Sequence, residues 1–118
     1  KKLRPVDLSN SEALRTSYAR AIAMDPELLI VKHAFEGQSP LNIRSFMDNL
    51  KERASRKDKS LIIVTYEPEK FIDFSDRFIM IFNGRVVFDG NRESYLDSEN
   101  RYLVQYKEGS PAGPMAIL

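Results

Sequence analysis

Four polar residues of this chain could take part in chemistry. Ser9 precedes an amphipathic stretch, Lys32 and His33 follow one apolar run, and Tyr66 comes just after another. His33 could serve as a general base, because an imidazole titrates near neutral pH. A histidine at a loop end with no catalytic role is the alternative, and we favour it.

The stretch after Ser9 carries an acidic residue, Glu12, in what would be the first turn of a helix. A helix N-terminus favours anions, because its unpaired N–H groups and its dipole point outward. A carboxylate at that place satisfies the dipole from within the chain and repels a phosphate. The sequence therefore argues against strong phosphate binding at this helix start.

Composition excludes several other classes of function. The net charge of +1, from 18 basic and 17 acidic residues, gives no reason to expect nucleic acid as a partner. The chain has no cysteine and one histidine, so we expect no metal site. No apolar run approaches the roughly 20 residues that a membrane span needs, and no signal peptide is visible. A cytoplasmic location is the default expectation.

Hydrophobic spacing predicts alternating helices and strands followed by a hairpin. The predicted elements are a helix over 11–24, a strand over 28–31, a helix from Ser39-Pro40, a strand over 61–64, a short helix from Glu67-Pro68, strands over 76–82 and 85–89 around Asn83-Gly84, and a short helix over 92–96. The two apolar runs read as strands buried on both faces. After Asp97, glycines and prolines are expected to break any regular element. The fold class is α/β, with parallel strands beside an antiparallel hairpin.

Three segments give the chain a family resemblance by their joint order and spacing. They are Leu8-Ser9-Asn10-Ser11-Glu12, then Tyr18 to Ile30, which reads Y-A-R-A-I-A-M-D-P-E-L-L-I, and then Leu61 to Glu67, which reads L-I-I-V-T-Y-E. The chain resembles the second half of an ABC-transporter ATPase, whose pattern is L-S-G-G-Q, R-x-x-x-A-R-A-L-A-x-D-P-x-L-L-L-L-D-E-P and I-I-V-T-H-E. The resemblance covers about residues 5–118 and implies a partial P-loop NTPase (ABC cassette) fold.

The ending adds a narrower resemblance. Residues 100–114 are similar to the ending N-P-x-V-x-Q-F-x-x-G-x-x-x-G-P of Mce/Mla-type phospholipid-transporter ATPases, with Arg101 and Tyr106 as departures. We divide the chain into an ABC ATPase-like part, 1–99, and a docking tail, 100–118. Packing of Tyr102, Val104 and Tyr106 onto the chain's own domain is an equal alternative to docking.

The resemblance also implies roles for the polar residues. Ser9 matches the serine that bonds the γ-phosphate, so we regard it as a vestigial nucleotide contact. Lys32 and His33 stand at the positions of the magnesium-holding aspartate and of the glutamate that polarises water. Tyr66 replaces a histidine that contacts the γ-phosphate, and the loop G-x-x-x-x-G-K-[ST] occurs nowhere in the 118 residues. We therefore expect no enzymatic activity from this chain, no catalytic residue and no cofactor, with ATP and Mg only if a longer parent supplies that loop.

These implications lead to one predicted function and to alternative functions. The predicted function is a catalytically degenerate cassette, a structural or regulatory subunit of a membrane lipid transport system, peripheral to the inner (plasma) membrane on its cytoplasmic side. Its partners would be a permease or a second cassette, and we expect self-association. The rival is part of a longer ABC ATPase that supplies one half of a composite ATP site, and a third possibility is a binding module unrelated to transport. The chain begins with Lys1, and we expect a piece of a longer protein, with a short gene product as the alternative.

Overall fold

The computed structural model of this chain describes residues 4, 6, 9–33 and 38–116, without the side chains of Asn10 and Ser11. Two units divide the chain, Lys1–Lys70 and Phe71–Leu118. The described strands form two separate two-stranded sheets, one in each unit. Of the signature-like segment, Leu8 lies outside the described residues.

The first unit pairs two parallel strands and packs a helix against them. Strand β1, Leu28–Lys32, and strand β2, Ser60–Val64, run parallel, in a register that begins at Leu28↔Ser60 and ends at Lys32↔Val64. Helix α2, Pro40–Ala54, packs against β2. The buried apolar residues of these elements are Leu29, Val31, Phe46, Met47 and Leu50.

Local chemistry sets the bounds of the two helices in this unit. Helix α1, Asn10–Ile22, ends just before Asp25, whose φ of +49° lies outside the helical region. Helix α2 begins after Ser39, whose Oγ accepts a hydrogen bond from the Asn42 N–H at 3.3 Å. Pro40 takes the first helical position, where its missing N–H costs nothing. Both predicted helices are confirmed within about two residues.

The expectation that both strands are buried on both faces is wrong. The side chains of β1 alternate between exposed and buried, and Ile30 is 60% exposed. On β2, Ile62 is 48% exposed, and Leu28 and Val64 complete an exposed apolar row. Parallel sheets are usually covered by helices on both faces. Among the described residues of this unit, the face that carries Ile30 and Ile62 has no such cover.

The second unit is built on the predicted hairpin. After a 3-10 helix, Pro68–Phe74, strand β3, Arg77–Phe82, pairs antiparallel with strand β4, Arg85–Asn91. Asn83 and Gly84 have φ values of +50° and +73°, the pair of positive angles that a type I′ turn requires. The hairpin prediction is confirmed.

Two helices follow the hairpin and build its core. They are α3, Arg92–Leu96, and α4, Arg101–Glu108. Phe78, Tyr95 and Leu103 form a buried cluster, and the Phe78 and Tyr95 rings stack with centroids 4.4 Å apart. Because Leu103 lies on α4, the expectation of no regular element after Asp97 is wrong. The docking role predicted for residues 100–118 stays a prediction.

The residues that gave the ending its resemblance have local structural roles here. The Asn100 side chain accepts hydrogen bonds from two N–H groups at the start of α4 and donates to the Val87 carbonyl at 2.9 Å. The buried Gln105 donates from Nε2 to the Met115 carbonyl at 2.9 Å and accepts the Met115 N–H at 2.8 Å. A Cβ on Gly113 would lie 2.5 Å from Gln105 Oε1, so this glycine allows the close approach.

Candidate functional site

Ser9 caps α1 through a reciprocal pair of hydrogen bonds. Its Oγ accepts a bond from the Glu12 N–H at 3.2 Å, and its own N–H donates to Glu12 Oε1 at 3.1 Å. This capping box satisfies two amides at the helix start from within the chain. The amide groups that could have met a phosphate are therefore partly occupied.

Glu12 keeps this helix start negatively charged. Hydrogen bonds from the Ser9 side chain and then from the Ser9 N–H hold the pKa of the Glu12 carboxyl below its usual value. The carboxylate is therefore ionised at neutral pH and lies at the positive end of the helix dipole. The argument from the sequence against strong phosphate binding at this place stays a prediction.

The carboxyl ends of β1 and β2 bring three of the four predicted site residues together. Lys32 is the last residue of β1, and the next N–H, that of His33, donates to the Val64 carbonyl at 2.9 Å. The ring of His33 stacks on that of Tyr66, with centroids 4.5 Å apart and planes at 22°. Ligands of open α/β sheets bind at such strand ends.

The backbone of His33 is unusual for a residue with a side chain. Its φ is +48°, in the left-handed region that non-glycine residues seldom occupy. Such angles concentrate at functional sites, where the surrounding structure maintains them. Sequence reasoning located His33 and Tyr66 at strand ends, but it could not show that their rings meet.

The residues at the end of β1 do not fit a magnesium ion. Magnesium prefers carboxylate oxygens and water, whereas Lys32 and His33 present an ammonium group and an imidazole. In the part of the chain that the structure describes, no cluster of three or more histidine, aspartate or glutamate residues could hold a metal ion.

Sequence reasoning missed a cleft of about 470 Å³ along α2. Its lining residues are Pro40, Ile43, Arg44, Met47, Asp48, Lys51 and Lys70. Three cationic side chains, one carboxylate and three apolar residues line this cleft. The residues of α2 that line the cleft recur at helical spacing. The same spacing is typical of a helix face that packs against a core, so the sequence alone could not distinguish a cleft lining from a core face.

Comparison with solved structures identifies the fold. The structure is similar to a solved ATP-binding cassette of an ABC transporter, with a TM-score of 0.69 and 16% identity, over 88% of this chain and 42% of that one. The predicted α/β fold, a partial P-loop NTPase fold, is confirmed.

Sequence comparison finds ABC-transporter ATP-binding proteins among the relatives of this chain. Over 113 residues the chain is 30% identical to the intermembrane phospholipid transport system ATP-binding protein MlaF of Haemophilus influenzae, covering 96% of this chain and 43% of that protein. It is 31% identical to the hypophosphite import ATP-binding protein HtxD of Stutzerimonas stutzeri, over 92% of this chain and 30% of that protein. No protein-family model matches. The homologues of this chain are ABC-transporter ATP-binding proteins, which confirms the resemblance, and the chain spans less than half the length of these relatives.

The prediction that this chain is not an enzyme is contradicted by these homologues. They are ATP-binding proteins of ABC transporters, a class of ATPases. The prediction rested on a missing phosphate-loop pattern in 118 residues, a stretch that covers only 43% of the phospholipid-transport relative. A pattern missing from such a stretch carries no conclusion about the activity of a longer protein.

No helix among the described residues is both long and apolar enough to cross a bilayer.

Proposed function

We propose that this chain is the carboxyl-terminal part of an ABC-transporter ATPase and supports ATP-driven transport by supplying one half of a composite ATP site. Homology to ABC ATP-binding proteins over most of the chain supports this assignment. The half of the ATP site that this chain supplies differs from the family pattern in its residues, and this difference determines the role that we assign to it.

The observation that carries the proposal is the stacked pair of His33 and Tyr66 beside Lys32. The resemblance implies that these positions belong to a water-polarising glutamate, a phosphate-contacting histidine and a magnesium-holding aspartate. The three side chains offer no carboxylate, which both metal binding and water activation use in such sites. We therefore assign a regulatory part to these strand ends and place hydrolysis at a second site, completed by an intact partner cassette.

Ser9 is the residue of this chain suited to help at that second site. The resemblance implies that a signature serine contacts the γ-phosphate bound by the opposite cassette. The hydroxyl of Ser9 stands at a helix N-terminus, where an anion is favoured. Glu12 opposes this with its negative charge, so we expect the contact to be weaker than in the family pattern.

The transported substrate that we propose is a phospholipid. Similarity to the ATP-binding protein of an intermembrane phospholipid transport system and the ending over residues 100–114 support this substrate. The partners would be a permease and a second cassette, and the chain would lie on the cytoplasmic side of the membrane without spanning it. The segment 100–118 would dock on one of these partners through the surface that it does not use in its own core.

Reconstitution in vesicles tests the transport role. The longer protein that carries this segment would be assembled with its permease and a second cassette in phospholipid vesicles, and ATP-dependent transfer of a fluorescent phospholipid would be followed. We expect transfer that stops without ATP and that stays within about threefold in the variant His33→Ala. Stimulation of hydrolysis by a small solute, such as hypophosphite or glycine betaine, with no effect of phospholipid would contradict the proposed substrate.

A further inference from the structure

The connection between α1 and β1 is held through three successive backbone carbonyls. Each accepts a hydrogen bond from a group 27 to 34 residues further along the chain. The pairs are Asp25 with Lys59 Nζ at 3.3 Å, Pro26 with Arg53 Nη2, and Glu27 with the Ser60 N–H at 2.7 Å. Connecting segments are usually among the more mobile parts of a fold. Three consecutive bonds of this kind therefore point to a requirement for one fixed conformation.

Arg53 is the unusual member of this set. It lies in the last turn of α2, on the buried face that also carries Phe46 and Leu50, and it is only 5% exposed. Its Nε is buried and has no hydrogen-bond partner among the described residues. Burial of a guanidinium with an unpaired donor is costly, and an apolar side chain of similar size is often at least as stabilising. Stability alone therefore does not account for an arginine at this position.

Lys59 holds the residue before Pro26 in a backbone conformation that it would seldom adopt alone. Asp25 has a φ of +49°, in the left-handed region that non-glycine residues rarely occupy. Lys59 Nζ contacts both its carbonyl, at 3.3 Å, and its carboxylate, 3.0 Å from Oδ1. The Lys59 side chain is itself 7% exposed. Two nearly buried cations thus determine the path by which the chain leaves α1 and enters β1.

We propose that Arg53 is a positioning residue that fixes the direction of α1 relative to the sheet and thereby the place of Ser9. It does so by holding the Pro26 carbonyl, which lies between the end of α1 and the start of β1. The effect on Ser9 rests on the proposed function, in which Ser9 reaches the opposite ATP site. The hold on α1 itself does not depend on that function.

The length of α1 turns a small change at the connection into a large one at Ser9. The helix has 13 residues, so Ser9 lies about 20 Å from the connection. A tilt of roughly 10° would move Ser9 by about 3.5 Å, more than the whole length of a hydrogen bond. The rings of Tyr18 and Phe46 meet edge to face, with centroids 4.9 Å apart. One such contact part-way along a helix acts as a pivot and does not by itself fix the tilt.

Distances between two spin labels test the hold on α1, because the chain contains no cysteine. The labels would be placed at Ala13→Cys on α1 and Asn49→Cys on α2, both exposed positions. In the 118-residue chain we expect Arg53→Met, which keeps the apolar length of the side chain, to broaden the distance distribution at least twofold. The matched control is Arg56→Met, since Arg56 pairs with Glu52 of α2 itself, 2.9 Å from Nε to Oε1. It should leave the distribution unchanged, and circular dichroism checks that each variant stays folded.

The ATP hydrolysis rate of the longer protein, assembled with an intact second cassette, tests whether this hold acts through Ser9. We expect Arg53→Met to lower the rate roughly threefold and the double variant with Ser9→Gly to be no slower than Ser9→Gly alone, because two changes that act through one residue are not additive. Arg53→Lys should recover most of the lost rate, since an ammonium group can still donate to the Pro26 carbonyl.

Each readout can overturn the proposal separately. An unchanged distance distribution in Arg53→Met, or a broadening of equal size in Arg56→Met, would show that Arg53 does not fix α1. Multiplication of the rate effects of Arg53→Met and Ser9→Gly would show that Arg53 acts by a route other than Ser9. A broadened distribution with a wild-type rate in Ser9→Gly would contradict the proposed function and leave the hold of Arg53 on α1 in place.

Discussion

Ser9 fixes the start of α1, and its contribution to stability can be measured apart from any ligand. Its Oγ accepts the Glu12 N–H, so Ser9→Ala should lower the free energy of unfolding by about 1 kcal/mol, the usual cost of losing such a cap. Chemical denaturation measures this change. Ser17→Ala, an exposed serine inside the same helix, is the matched control and should be neutral or slightly stabilising. Equal effects of the two variants would show that the cap contributes nothing.

Asp25 links stability to pH. It forms an ion pair with Lys59, 3.0 Å between Oδ1 and Nζ, and the hydrogen bond from Lys59 holds the pKa of the Asp25 carboxyl below its ordinary value of 3.8. A carboxyl whose pKa is lower in the folded state stabilises the fold above its unfolded pKa. That contribution is lost as the pH falls through the folded pKa.

We therefore expect Asp25→Asn to lower stability at pH 7 and to flatten the loss of stability between about pH 5 and pH 2. Asp58→Asn, at an exposed carboxylate nearby, should change the acid limb less. Unfolding followed by fluorescence or circular dichroism across this pH range measures both. Parallel curves for wild type and Asp25→Asn would show that the ion pair has no role in acid stability.

Elements with a local sequence signal could be predicted from the sequence. Features that depend on packing against residues far away in the sequence could not. The pair Ser39-Pro40 predicted the start of α2, and Asn83-Gly84 predicted the hairpin turn. Both predictions were possible because helix capping and turn formation depend on residues close together in the sequence. The apolar run of β1 predicted a strand, but nothing in the run specifies what covers its second face, and Ile30 is exposed. The stack of His33 on Tyr66 joins residues from two strand ends, which spacing alone does not place in contact.

Helix α4 was missed although its signals were present. Asn100 caps its start and Gly109, with φ of +62°, ends it in the usual left-handed conformation. The later glycine and prolines predict a break of the whole segment, whereas in the structure they shape the turn that Gln105 holds. A buried glutamine is a weak sequence signal, since its partners here are backbone groups five to ten residues away.

Gln105 should be costly to replace. In Gln105→Leu the Met115 N–H and C=O lose their buried partners, and each such group costs about 1–3 kcal/mol. We expect a clear fall in the midpoint of thermal unfolding. Glu108→Ala, at an exposed position on the same helix, is the control and should change it little. A Gln105→Leu variant as stable as wild type would contradict the structural role given to this residue.

At the scale of the whole molecule, the second unit depends on its last eighteen residues. Deletion of 101–118 removes Leu103 from the cluster with Phe78 and Tyr95, and burial of one such side chain contributes about 1.5–3 kcal/mol. We expect the truncated chain to unfold at a lower temperature and to lose near-ultraviolet circular dichroism from the stacked rings. Unchanged stability with weaker binding to a permease would instead assign the segment to docking alone.

In the proposed function, the strand end at Lys32 and His33 is regulatory, and Ser9 acts on the opposite ATP site. The central claim is therefore that Ser9 contributes to ATP hydrolysis, whereas His33 and Lys32 do not. Ser9→Gly tests the serine with little disturbance of the helix, because glycine caps a helix at a cost of only a few tenths of a kcal/mol.

The most direct measurement is the ATP hydrolysis rate of the longer protein assembled with an intact second cassette, compared between Ser9→Gly and His33→Ala. A hydrogen bond to a charged phosphate contributes about 1.5–3 kcal/mol, and the negative charge of Glu12 should weaken this one, so Ser9→Gly should lower the rate roughly 3- to 10-fold. His33→Ala should leave it within about twofold. The opposite pattern, with His33→Ala abolishing hydrolysis and Ser9→Gly sparing it, would make His33 a catalytic base and contradict the account.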